Sequence, residues 1–106
     1  MNARIKESDW KIFSKFYQVA LDRFCKRVIE EVRSEITEVT DGYHDRYLRV
    51  YKLIQRRDKI LADAFDNPRR SNALILLAFI RQQGLLTEEE LMQLSPETRN
   101  AIGVIE

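Results

Sequence analysis

Residues 73 to 80, Ala-Leu-Ile-Leu-Leu-Ala-Phe-Ile, are apolar without a break. A helix with no polar stripe has to be covered all round. The run is far short of the roughly 20 apolar residues that cross a bilayer, so its cover must be other protein. Asn67 before Pro68 reads as an N-cap followed by a proline in the first turn, where a missing N–H costs nothing. Gly84, after Arg81-Gln82-Gln83, reads as a left-handed stop. The expectation is a central helix over 68–83, with the rest of the chain as its coat.

Composition narrows what that coat can be. The 106 residues have room for a single domain, 1–106. Only three Gly and two Pro leave few turns, which favours a handful of long elements and an all-α fold over a many-stranded one. A formal charge of +1 gives no overall field to draw the protein onto nucleic acid or an anionic membrane. With one cysteine there can be no internal disulfide, and the first residues lack the apolar core of a secretory signal. The chain reads as cytoplasmic, without a membrane segment.

Residues 1–7 form a polar lead-in. From Trp10, apolar residues recur every three or four positions through Phe13, Tyr17, Leu21, Phe24, Val28, Val32, Ile36 and Val39. That spacing predicts a helix over about 9–38, roughly 45 Å long, capped by Ser8 or Asp9. Ile12, Phe16 and Val19 fall nearly opposite this stripe and need a second set of neighbours. Thr40-Asp41-Gly42 reads as a helix end and a new cap. A second helix over 43–66 carries Tyr43, Tyr47, Val50, Tyr51, Ile54, Leu61, Ala64 and Phe65 as its seam, broken only by Asp58.

After Gly84, Thr87-Glu88-Glu89-Glu90 has the form of a capping box, predicting a short helix over 88–94. Ser95-Pro96 starts another over 96–102, stopped by Gly103. The expected architecture is a long antiparallel helical hairpin packed on a central apolar helix, followed by two short helices. A 16-residue central helix spans only about 24 Å, so the two outer helices overshoot it between Val28 and Tyr51. A stripe left open at that length favours a homodimer. The expected contact residues are Ile12, Phe16, Val19, Val32, Ile36, Val39, Tyr43, Tyr47, Val50 and Tyr51.

Catalytic signals are weak. Cys25 and His44 are each single, and by helical rise they fall more than about 20 Å apart in such a hairpin, too far for a nucleophile and its base. Asp41 and His44 have the i, i+3 spacing of bundle metal sites, but one histidine is too few. No catalytic, cofactor or metal role is assigned, and the chain reads as a non-catalytic interaction module whose further protein partner the sequence does not name.

The alternative is nucleic-acid or phosphate binding through Arg46, Arg49, Lys52, Arg56, Arg57, Arg69 and Arg70, with the nearby tyrosines available to stack bases. Against it, the acidic run Glu30, Glu31, Glu35, Glu38 and Asp41 comes level with much of this basic run across the hairpin, where the two can pair. Glu30 and Glu31 are expected opposite Lys52 and Tyr51, and Glu35 and Glu38 within a turn of Arg46 and Arg49. A helix-turn-helix reading around Gly84 fails, because its recognition helix would begin with three glutamates.

Overall fold

The computed structural model describes residues 5–37 and 42–103. Among these are five helices and no strand: α1 Glu7–Thr37, α2 Tyr43–Phe65, α3 Ala73–Gln82, α4 Glu88–Leu91 and α5 Pro96–Ala101. α1 and α2 form the hairpin, and α3 packs on both. The molecule measures 53 × 25 × 21 Å with a radius of gyration of 16.8 Å, where a compact chain of this length would have about 13 Å. No described helix is long and apolar enough to cross a membrane.

The core lies at one end of the hairpin. Phe13, Ala20 and Phe24 from α1, Ala64 and Phe65 from α2, and Leu76, Leu77 and Ile80 from α3 share one buried cluster with Leu85, Leu91, Leu94 and Ile102. Tyr17 and Phe24 set their rings against Phe65, and the Tyr17 hydroxyl donates to the Phe65 carbonyl. Burial, followed by the nearby Asp66 charge, raises the pKa of Tyr17, so its hydroxyl stays a donor.

The central helix differs from expectation in two ways. It begins at Ala73, because Asn67 has a left-handed φ of 42° and the chain makes a turn instead of a first helical turn. The Asn72 side chain holds that turn, accepting from the Arg69 N–H at 2.7 Å and donating to the Asn67 carbonyl at 3.1 Å. Nor is the helix covered all round, since Ile75 and Phe79, one turn apart, are exposed. With ten residues, α3 spans only about 15 Å, and the overshoot of α1 and α2 is greater than the sequence implied.

The terminal helices bind to the core end. Glu90 completes the capping box with Thr87, and Ser95 caps α5. Gly84 and Gly103 have φ of 68° and 88° and stop their helices as expected. α4 and α5 end at Leu91 and Ala101, slightly earlier than predicted. Gly42 is the N-cap of α2 with φ −73°, so it uses no left-handed freedom. The capping roles expected of Thr40 and Asp41 fall outside the described residues.

Asp9 does not cap α1. It sits inside the first turn, 1% exposed, and accepts from the Ser95 N–H at 2.9 Å, the Ser95 hydroxyl at 2.5 Å and the Thr98 hydroxyl at 2.6 Å. Farther along α1, Arg23 donates to both Glu90 oxygens at 2.6 and 3.0 Å and to the Leu85 carbonyl at 2.8 Å. Arg27 donates to the carbonyls of Gln83 and Gly84 at 2.5 and 2.8 Å. Arg27 thus meets the negative end of α3, while Arg23 ties α1 to the loop and helix that follow.

Candidate interaction surface

At 100° per residue, Arg27 and Ile29 point to opposite sides of α1. Arg27 faces the end of α3, so Ile29 faces away from it. Cys25, Ile29, Val32 and Ile36 follow one another at steps of four, three and four, which keeps them on that outer side. On α2 the equivalent stripe is Tyr47, Tyr51, Ile54, Asp58 and Leu61, with Tyr43 a further turn toward the tip. Between the two stripes runs an open groove of about 280 Å³ lined by Phe24, Cys25, Val28, Ile29, Val32, Ile54, Arg57, Asp58 and Leu61.

This face is open to solvent. Ile29 is 61% exposed, Ile36 51%, Tyr43 85%, Tyr47 65%, Tyr51 51% and Ile54 46%. Tyr47 and Tyr51 stack with ring centroids 6.4 Å apart. The tyrosines therefore do not lie in the α1–α2 seam, as the sequence suggested. Leu53 is the buried residue there, flanked by the half-buried Val50, Arg49 and Arg57.

Two ion pairs close the seam beside Leu53. Arg49 Nε donates to Glu35 at 3.0 Å, as the register predicts; Glu38 lies outside the described residues. Arg57 grips both oxygens of Glu31, at 2.9 and 2.7 Å. The expected opposite numbers of Glu31 were Tyr51 and Lys52, up to six residues away. Side chains on a helix lean toward its N-terminus, so in an antiparallel pair they meet about a turn farther from the tip than backbone level indicates. Hydrogen bonding from Arg57 lowers the pKa of Glu31 against the opposing effect of burial, and the same bond raises that of Arg57.

The remaining expected contact residues divide by position. Phe16 is buried, Ile12 packs partly buried against the core, and Val19 is 36% exposed. Val32 and Val50 are half-buried, and Val39 lies outside the described residues. Among the basic residues, Arg70 pairs with Glu7 and lies over the Trp10 ring, and Arg46 lies over the Tyr43 ring at 5.1 Å. Arg69 is exposed, and Lys52 and Arg56, with Gln55 and Lys59, line a shallow cleft on another side of α2.

Cys25 is exposed at the groove, and His44 is exposed in the first turn of α2. Among the described residues, no three His, Cys, Asp or Glu side chains gather in a way that could hold a metal ion. Of the groove residues only Val32 belongs to the expected contact set; Cys25 and Ile29 on α1 and Ile54, Asp58 and Leu61 on α2 are among those it lacks. Their four-three spacing was present in the sequence, but it runs beside a stronger stripe. Comparison with protein families, curated proteins and solved structures finds no match to this chain.

Proposed function

We propose that this chain is a non-catalytic, self-associating helical module whose partner is a second copy of itself, joined through the outer face of the hairpin. The observation that carries this reading is the exposure of Ile29, Ile36, Tyr47, Tyr51 and Ile54 on one continuous side of two antiparallel helices. Two helices side by side are roughly 20 Å wide, and Tyr43 to Leu61 spans about 27 Å. Covering that face would bury roughly 500 Å² per copy, or about 1,000 Å² in all, the lower end of what a specific interface needs. We place the protein in the cytoplasm, where an exposed Cys25 remains a thiol.

Sedimentation of the purified chain across a concentration series tests the proposal. A dimer at high concentration that Ile54→Glu dissociates, without loss of helical content, supports it. A monomer at every concentration overturns it.

Phosphate binding is a second reading, favoured by the exposed cluster of Lys52, Arg56 and Lys59. It is weakened because Arg57 and Arg70 are engaged in ion pairs. Retention on heparin that falls steeply with salt would favour it, and no retention at low salt would remove it.

A further inference from the structure

From the charge on the apolar face we infer that the two hairpins associate in parallel, tips at the same end, with α2 of each copy lying on α1 of the other. This rests on the self-association proposed above and specifies its geometry. A two-fold axis lying in the interface permits two arrangements. If the axis runs along the hairpin, α2 meets the other copy's α1. If it runs across the hairpin, α2 meets α2 and the tips point in opposite directions.

Asp58 separates the two. It lines the groove on the α2 stripe, and covering the face would take its carboxylate out of water. An unpaired buried carboxylate is strongly unfavourable, whereas a paired one is tolerated. The α2 stripe of Tyr43, Tyr47, Tyr51, Ile54 and Leu61 offers no cation. Stacking α2 on α2 would leave both copies of Asp58 without an unengaged cation, since the Arg57 that lines the groove is held by Glu31. The rim of the α1 stripe carries Lys26 and Arg33, seven residues apart and on the same side of the helix. Because Arg57 reaches Glu31 across the hairpin, Asp58 in the parallel form comes level with the stretch between those two cations of the second copy, about two turns from Asp22 on the same rim. The symmetry makes the contact twice.

The opposite arrangement also brings Lys26 of one copy near Arg33 of the other, since α1 would then lie antiparallel on α1. That is a like-charge contact at both rims. Both effects point toward the parallel form.

Gly42 provides the measuring point. It sits at the tip with φ −73°, and a Cβ added there meets nothing within 4 Å. A nitroxide on Gly42→Cys, in a Cys25→Ser background, reports the separation of the two tips by pulsed electron resonance. Parallel hairpins put the tips within about 20 Å of each other. Opposed hairpins put them roughly 35 Å apart or more, because the centre of the face is about 12 residues from the tip. In the same background, Asp58→Lys should weaken the dimer about tenfold, and adding Lys26→Glu and Arg33→Glu should recover part of the loss.

A dimer with a short tip distance and charge rescue supports the inference. A dimer with tips far apart, or without rescue, overturns the parallel arrangement while leaving self-association standing. A chain that stays monomeric by sedimentation overturns both.

Discussion

The carboxylate of Asp9, in the first turn of α1, accepts from both the backbone N–H and the hydroxyl of Ser95, the residue that caps α5, 86 positions later in the chain. Burial opposes the charge on Asp9. The hydrogen bonds from Ser95 and Thr98, with the nearby Lys6 ammonium, outweigh it and hold the carboxyl below its ordinary range. Asp9→Ala removes the acceptor of three donors. It should cost about 2–4 kcal/mol in thermal or urea unfolding, with Asp9→Asn retaining part of that. A loss below about 0.5 kcal/mol would show that the latch does not hold the terminal helices.

Glu90 is held by the two-pronged Arg23 contact, which overcomes burial, and by the Thr87 N–H, bringing its pKa to about 2 from an ordinary 4.5. A carboxyl with a lowered folded value stabilises the protein fully above the unfolded value. That contribution is lost as the pH falls from about 4.5 toward 2. Arg23 is 39% exposed on its side chain, so solvent screens the pair, and about 1–2 kcal/mol is expected at neutral pH. Glu90→Gln should therefore destabilise at pH 7 and make little difference near pH 2. An equal effect at both pH values would rule out the charge as the cause.

The register of the hairpin can be tested at Glu31 and Arg57. Glu31→Lys places like charges within reach and should lower stability by about 1 kcal/mol. Adding Arg57→Glu should restore at least half of it, while adding Lys52→Glu should restore less. If Lys52 rescues better than Arg57, the side-chain register is displaced by more than one turn.

Leu53 and Ile54 are adjacent and should behave oppositely. Leu53 is 3% exposed in the seam, and Leu53→Ala should cost about 2–3 kcal/mol in a monomeric protein. Ile54→Ala should leave monomer stability within about 0.5 kcal/mol and weaken association instead. Chemical denaturation at low protein concentration reads the first effect, and sedimentation at high concentration the second.

Much of the fold is legible in local chemistry. Thr87 with Glu90, Ser95 with Pro96, and the two positive-φ glycines each fix a boundary from a few neighbouring residues, and those boundaries hold. Asn67-Pro68 misleads because the decisive contact is made five residues on, by the Asn72 side chain. The destinations of Asp9, Arg23 and Arg27 are invisible in sequence because their partners lie 56 to 89 positions away. In α2, apolar spacing alone could not say which of two adjacent stripes faces α1. The tyrosines read as seam, whereas Leu53 is buried and charged pairs fill the positions around it.

The tethers from α1 to the chain beyond α2, from Glu7 to Arg27, all lie on the first two-thirds of the helix, where the core sits. The opposite half of the hairpin is secured by Leu53 and two ion pairs. Amide hydrogens should reflect that gradient: those around Phe13, Leu77 and Leu85 exchange only on global unfolding, while those near Ile36 and Tyr47 exchange through local opening of α1 and α2 there. Should a second copy cover that half, its slowest-exchanging amides would measure the strength of association, because protection there would rise with concentration while protection near Phe13 stayed almost unchanged.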